Sequence, residues 1–338
     1  MIDFRSDTFT KPSHGMLQAM YNAEVGDDVF GEDPSVNKLE AMMADYFGME
    51  AALYCPSGTM SNQIAIHVHT RPGDEVICGQ LAHVYLYEGG GIAATSGAQV
   101  YPIPGNRGMI TADQVVAAIQ PDDIHRANTS LVCLENTSNR GGGCCYDWQD
   151  ILSIRNVCTQ HNLALHLDGA RLFNALVATG QDPKAYGQVF DSISVCLNKG
   201  MGCPMGSVLM GSNDYIKAAR RVRKRLGGGM RQAGYMAATG IYAMENNIGR
   251  LTEDHLHAKK IAGILAEKSF IGEIYPVETN ILIFEVKGHM NPQLFAEYLK
   301  MEGILVSPIS SSHVRMVLHL DITPEMTERT CKVIEALK

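Results

Sequence analysis

Lys199 stands in the run Ser-Ile-Ser-Val-Cys-Leu-Asn-Lys-Gly from Ser192 to Gly200. Ile193, Val195 and Leu197 alternate with smaller residues, which predicts a short buried strand. The lysine follows that strand at once, and Gly200, Gly202 and Gly206 leave room around it for a ligand. Desolvation favours a neutral, nucleophilic amine over an ammonium ion. Such an amine suits a Schiff base with a carbonyl compound, and pyridoxal phosphate (PLP) is the common cofactor of that kind. Taken alone, the run is more simply a solvated lysine in a glycine-rich loop, because most lysines are exposed. The weight of the reading therefore rests on what stands elsewhere.

Asp168 directly follows the apolar run Leu163–Leu167, and a carboxylate at a buried strand end needs a cationic partner. A pyridinium N–H would be one such partner; Arg171, in Asp-Gly-Ala-Arg, is the plainer one. Pro56 to Asn62, Pro-Ser-Gly-Thr-Met-Ser-Asn, lies between a predicted strand and a predicted helix. Free amides at such a helix start bind phosphate, with Gly58 allowing close approach and Ser57 and Thr59 adding hydroxyls. His83 opens a further helix, where its ring either faces a cofactor or caps the turn. Polar residues from Glu135 to Asn139 gather beyond the strand Ser130–Leu134, the place where open α/β sheets carry their sites. Arg315, inside a late strand, wants an anion, whether structural or a substrate carboxylate. A phosphate turn, a strand-end aspartate and a strand-end lysine meet the three needs of PLP together: a phosphate anchor, a ring-nitrogen partner and an amine.

These residues must be positioned by something regular. Strands and helices alternate from Ala51 to Met210, which implies a mostly parallel sheet with helices on both faces. Asp33-Pro34 starts one helix and Gly48 stops it; Thr111 and Gln114 form a capping box for another. The basic stretch Asp214–Leu226 reads as a helix with a solvated face, or one meeting a neighbouring subunit or anion. Past about residue 250 the pattern changes to a small α+β unit, with strands at 281–286, 305–306 and 314–318. The predicted division is an arm over 1–12, a large cofactor-binding domain over 13–248 and a small domain over 249–338. Ser6, Asp7, Thr8 and Thr10 either dress an arm laid over the site or belong to a frayed end.

The chain has 338 residues, 46% of them hydrophobic and 19% charged, an ordinary globular balance. A net charge of −8 argues against nucleic acid or an anionic membrane as partner. No apolar run approaches the ~20 residues of a membrane span, and the first residues lack the order of a signal peptide. The nine cysteines include no C-x-x-C pair, so they read as reduced thiols of a cytoplasmic protein, and no metal site is expected.

With these motifs in order, the chain resembles the low-specificity L-threonine aldolases, PLP-dependent enzymes of fold type I (aspartate-aminotransferase-like). The likeness runs nearly end to end. It is carried by Arg5–Thr8 (RSDT), Gly26–Pro34 (GDDVFGEDP), Ser57–Thr59 (SGT), His83–Glu88 (HVYLYE), Glu135–Thr137 (ENT), Asp168–Arg171 (DGAR), Leu197–Gly200 (LNKG), Gly227–Gln232 (GGGMRQ) and His319–Asp321 (HLD). The resemblance implies an α/β large domain with a mostly parallel seven-stranded sheet. It also implies cleavage of L-threonine or L-allo-threonine to glycine and acetaldehyde. Lys199 would then hold PLP, and Ser57, Gly58 and Thr59 its phosphate, with Arg231 reaching in from a neighbouring subunit. His83 would stack on the ring and take part in proton transfer, and Asp168 would pair the ring nitrogen. Ser6, Arg171, Arg315 and Ser138 would meet the substrate, Arg171 also serving the cofactor. A homotetramer, built as a dimer of dimers with shared sites, follows from the same likeness.

Three positions depart from the family pattern. Ser138 stands where a histidine near the substrate hydroxyl is frequent, so the threo/allo preference is expected to turn on it. Phe30 replaces a frequent tyrosine, and Asn198 a frequent serine. Two other readings stay open on sequence: a β-eliminating PLP lyase, and a fold-type I scaffold without catalysis.

Overall fold

The computed structural model describes residues 1–337. A seven-stranded sheet forms its centre, made of β1 (Ala51–Cys55), β2 (Asp74–Gly79), β3 (Gln99–Ile103), β4 (Asn128–Glu135), β5 (Ala164–Asp168), β6 (Ser192–Cys196) and β7 (Ser207–Gly211). Their spatial order is β1-β7-β6-β5-β4-β2-β3. Only β7 runs against its neighbours; the other pairs are parallel. All five residues of β6 are buried, as expected of a central strand covered on both faces. Because β7 alone is reversed, the carboxyl ends of β1, β4, β5 and β6 open on one edge. Ser57, Glu135, Asp168 and Lys199 are delivered there together.

Helices close both faces. Gly58–His69 and Asn213–Arg225 pack with Leu53, Ile64, Leu209 and Val222 on one side. Pro34–Phe47, Trp148–Gln160 and Gly234–Asn246 enclose the larger cluster on the other, around Leu39, Phe47, Ile154 and Phe173. The caps form as the sequence predicts. Asp33 accepts from Val36 N with Pro34 at the first position, and Gly48 ends the helix at φ 64°. Thr111 and Gln114 make their reciprocal box.

A four-stranded antiparallel sheet follows: β8 (Ile271–Ile274), β9 (Ile281–Val286), β10 (Ser307–Pro308) and β11 (His313–Val317), in the order β10-β11-β9-β8. Its core includes Ile2 and Phe4 from the other end of the chain. Ile2–Asp3 pairs in parallel with Ile304–Leu305, and Phe4 O accepts from Val317 N at 2.8 Å. The first residues are therefore held, not frayed.

Two local expectations are corrected. The helix at His83 spans only His83–Leu86, because Gly89 and Gly90 take positive φ immediately afterwards. The basic helix is not simply a solvated face: Arg223 is buried, paired with Asp28 at 2.8 Å and donating to Tyr54 O at 2.6 Å, and Arg220 pairs with Glu40.

Candidate active site

Two adjoining cavities open at the carboxyl edge of the sheet, with His83 and Lys199 in the walls of both. The inner one, about 160 Å³, is lined by Ser57, Gly58, Thr59, Asp168 and Asn198 among others. The outer one, about 410 Å³, is lined by Ser6, Tyr87, Asn139, Arg140, Arg171 and Arg315 among others.

Lys199 sits in the tight turn after β6. Gly202 N donates to Lys199 O, Cys203 N to Leu197 O and Leu197 N to Gly206 O. Gly202 adopts φ 80° and Gly206 φ 112°, and a Cβ at Gly206 would strike Tyr54, so glycine is required there. Cys196 lies beneath, its thiol raised by burial against the opposing pull of Lys199.

Opposite, Ser57 caps the helix Gly58–His69 by accepting from Met60 N at 3.2 Å. The amides of Gly58 and Thr59, ahead of the helical ladder, remain for an anion. A Cβ on Gly58 would come within 2.5 Å of Cys196 Sγ, so the glycine brings this turn close to the lysine strand.

Asp168 is buried between them. Its Oδ1 accepts from Ala170 N at 3.1 Å and its Oδ2 from Asn62 Nδ2 at 3.0 Å. The ion pair between Asp168 and Arg171, the plainer expectation, is absent among the described residues. Arg171 instead forks onto Asp7, with Nε and Nη2 each 2.7 Å from a carboxylate oxygen. Burial opposes the Asp7 charge, yet Arg171 wins and lowers its pKa to about 2. The arm thereby locks over the site.

His83 Nδ1 lies 2.9 Å from Glu88 Oε1, and its backbone N donates to Glu135 Oε2 at 2.7 Å. Burial works against a charged ring here. The Glu88 hydrogen bond and the Asp168 charge outweigh it, so His83 titrates above its ordinary value. Donor atoms of His83, Glu88 and Asp168 lie within 4.8 Å of one another. Glu88 is already engaged by Asn62, Gln63 and His83. Glu135 also accepts from Asn139 N at 2.8 Å; burial, then the Asp168 charge, raise its pKa to about 7.

Asn139 joins the two arginines: its Oδ1 accepts from Arg171 Nη1 at 3.4 Å and from Arg315 Nη1 at 3.1 Å. Arg315 Nη2 donates to Arg5 O at 3.2 Å, while its buried Nε has no partner. Burial, then repulsion from Arg171, lower its pKa. No carboxylate pairs with Arg315 or Arg140 among the described residues. The outer cavity is thus cationic and short of an anion.

The structure brings together Ser6, Ser57, Gly58, Thr59, His83, Asp168, Arg171, Lys199 and Arg315. Two expected residues lie elsewhere. Ser138 lines neither cavity; its hydroxyl donates to Arg107 O at 2.9 Å and accepts from Gly141 N at 3.2 Å. The bridge between Ser138 and Cys144 folds that loop back on itself and turns the side chain away. Arg231 also lines neither cavity of its own chain; it pairs with Asp27 at 2.7 Å and lies over the Phe30 ring. Sequence reasoning missed Asn62, Glu88, Asn139 and Asp7 as working members. Each falls in a run the sequence singles out (Pro56–Asn62, His83–Glu88, Glu135–Asn139 and Arg5–Thr8), but none carries a signal of its role.

The residues present fit PLP. Free helix-start amides beside hydroxyls suit its phosphate, Asp168 suits its ring N–H, and Lys199 suits its aldehyde. Comparison with known proteins agrees. The family model described as Beta-eliminating lyase matches residues 3–289. The low-specificity L-threonine aldolase of Escherichia coli K12 is 46% identical over 326 residues, covering 96% of each chain. Low-specificity L-threonine aldolase 1 of Arabidopsis thaliana is 40% identical, covering 95% of this chain and 92% of its own. The solved threonine aldolase structure of Leishmania major superposes with TM-score 0.86 over 99% of both chains at 22% identity, a likeness of fold. A nearly full-length match at these identities, on a fold-type I frame with its strand-end lysine and aspartate, decides the grouping: the chain belongs to the β-eliminating lyase family and, within it, to the low-specificity L-threonine aldolases.

Proposed function

We propose that this chain is a PLP-dependent carbon–carbon lyase that cleaves L-threonine and L-allo-threonine to glycine and acetaldehyde. The observation that carries the reading is Arg315, a half-buried cation with a buried Nε lacking any partner, set in the cavity wall that also carries Lys199. When bound, PLP supplies an aldehyde that captures the substrate amine and a ring that takes up the electron pair released at Cα.

The chain's own residues do the rest. Ser57, Gly58 and Thr59 bind the phosphate. Asp168 holds the proton at the ring nitrogen, and Lys199 supplies and recovers the amine. Arg315 clamps the substrate carboxylate, with Arg171 orienting beside it and Ser6 at the rim. Arg171 is already forked onto Asp7, so only its Nη1 side is left for substrate. His83 gives Nδ1 to Glu88, which leaves Nε2 to take the β-hydroxyl proton. Ser138, turned onto Arg107, supports the loop and not the hydroxyl.

Arg231 completes the phosphate site of a neighbouring subunit in a homotetramer with shared sites. Its surroundings support this: the Phe30 ring over which it lies is 72% exposed, open to cover by a partner. A cytoplasmic location is supported by nine cysteines that are all free thiols. No helix among the described residues is long and apolar enough to cross a membrane.

The test is direct. The purified protein should absorb near ~420 nm, and borohydride should fix a pyridoxyl group on Lys199. L-Threonine and L-allo-threonine should yield acetaldehyde and glycine. 2-Oxobutanoate and ammonia in their place would show β-elimination, and a colourless, inert protein would overturn the assignment.

A further inference from the structure

A file of buried side chains leads from Asp168 back through the sheet. Asn62 Nδ2 donates to Asp168 Oδ2 at 3.0 Å and to Glu88 Oε1 at 2.9 Å. Its Oδ1 faces the other way, 3.2 Å from His166 Nε2. His166 lies two residues before Asp168 on β5, on the same face of the strand, and is fully buried. On its far side, His166 Nδ1 lies 2.8 Å from Ser192 Oγ, and Ser192 Oγ lies 2.8 Å from His69 Nε2. His69 stacks on Tyr215 and borders a cleft of about 720 Å³ at the opposite edge of the sheet.

The donors can be assigned in only one consistent direction. Two carboxylates beside Asn62 accept, so its amide NH2 must face them. Its Oδ1 then needs a donor, which His166 supplies from Nε2–H. Burial keeps the His166 ring neutral, lowering its pKa to about 3 with help from His69. Nδ1 therefore carries no proton and accepts from Ser192 O–H. That uses the one hydroxyl hydrogen, so His69 donates to Ser192 from its own Nε2–H; burial keeps it neutral too, at about 4. Ser192 O also lies 3.2 Å from His166 Nδ1 and would accept from the other tautomer. That tautomer would turn Asn62 Oδ1 onto a carboxylate.

We infer that His166 is a positioning residue for the cofactor's ring nitrogen: the relay His69–Ser192–His166–Asn62 points every donor toward Asp168 and fixes that carboxylate as the ring's acceptor. The inference rests on the reading of Asp168 as the ring partner. Bonds aligned in one direction polarise one another and stabilise the anion at their end. The relay also explains a histidine and a serine buried between apolar strands, where valine would pack more cheaply.

The test uses the holoenzyme and two substitutions. Glutamine at 166 keeps an N–H for Asn62 and an oxygen for Ser192; leucine keeps neither. His166→Leu should weaken PLP binding roughly tenfold and move the visible band, while His166→Gln restores most of both. Unchanged affinity and spectrum in His166→Leu would overturn the relay. Should that variant fail to fold, nitrogen-15 spectra of the wild type decide: the Nε2–H tautomer of His166 is expected, and Nδ1–H overturns the assignment. Borohydride labelling of wild-type Lys199 separates the two ideas. Without a label the cofactor reading falls and the relay with it. With a label, an indifferent His166→Leu sinks the relay alone.

Discussion

Arg315 and Ser138 show how much a side chain's direction decides. Both were expected at the substrate, and only Arg315 reaches the cavity. Arg315→Ala should raise KM for threonine by roughly ten- to a hundredfold, the worth of a charge-assisted bond, with a smaller fall in kcat. Steady-state kinetics with an unchanged KM would remove it from the carboxylate site. Ser138→Ala should leave the threo/allo ratio as it is and cost about 1–2 kcal/mol of stability, because its hydroxyl ties Arg107 O to Gly141 N. Product ratios from the two diastereomers check this, and a shifted ratio would return position 138 to the substrate. Lys199, Asp168 and the Ser57–Thr59 turn were legible in the sequence, since each directly follows an apolar strand. His166 and Asn62 were not: one is hidden inside an apolar strand, the other reads as the polar position of a helix.

At the scale of elements, the arm is the least predictable part. Nothing local distinguishes a held Ile2–Asp3 from a loose end; its partner strand lies at Ile304–Leu305, beyond the reach of any sequence window. The Asp7–Arg171 pair is what seats the arm. Asp7→Asn should cost roughly 3 kcal/mol at neutral pH, since it strands a buried guanidinium. The sign with pH follows from its lowered pKa, about 2 against an ordinary 3.8. Asp7 contributes fully above about pH 4 and loses that contribution as pH falls toward 2. The difference in melting temperature between wild type and Asp7→Asn should therefore be widest at neutral pH and close below pH 4. A gap that stays constant across that window would mean the pair is not what seats the arm. The basic helix departs from its simplest reading, a solvated face, for a related reason. Charge and spacing identify its polar face, but the acids that bury Arg223 and Arg220 come from Asp28 and Glu40 far upstream.

At the scale of the whole molecule, the sheet topology is what the alternating pattern could specify, and the single reversed strand is what it could not. Strand Ser207–Gly211 looks like any other apolar run, and its direction is set by the short link from the Lys199 turn. The oligomer lies a step further from sequence. A site shared between subunits predicts complementation: Lys199→Ala and Arg231→Ala proteins, each inactive, should regain about a quarter of wild-type activity when dissociated and reassembled together. In a mixed pair one site carries both lesions and the other carries none. Failure to recover activity, with mixed assemblies verified by mass, would confine each site to one chain.

The pairing of Ile2–Asp3 with Ile304–Leu305 also has a consequence for biosynthesis. A ribosome makes Ile2 and Asp3 long before their partner strand. Until then the Ile2 and Phe4 side chains have no core to enter, and the segment that carries Asp7 to Arg171 is not anchored. The growing chain must therefore shield the apolar Ile2 and Phe4 side chains until Ile304–Leu305 is made, and the pocket matures only once that distant pairing forms.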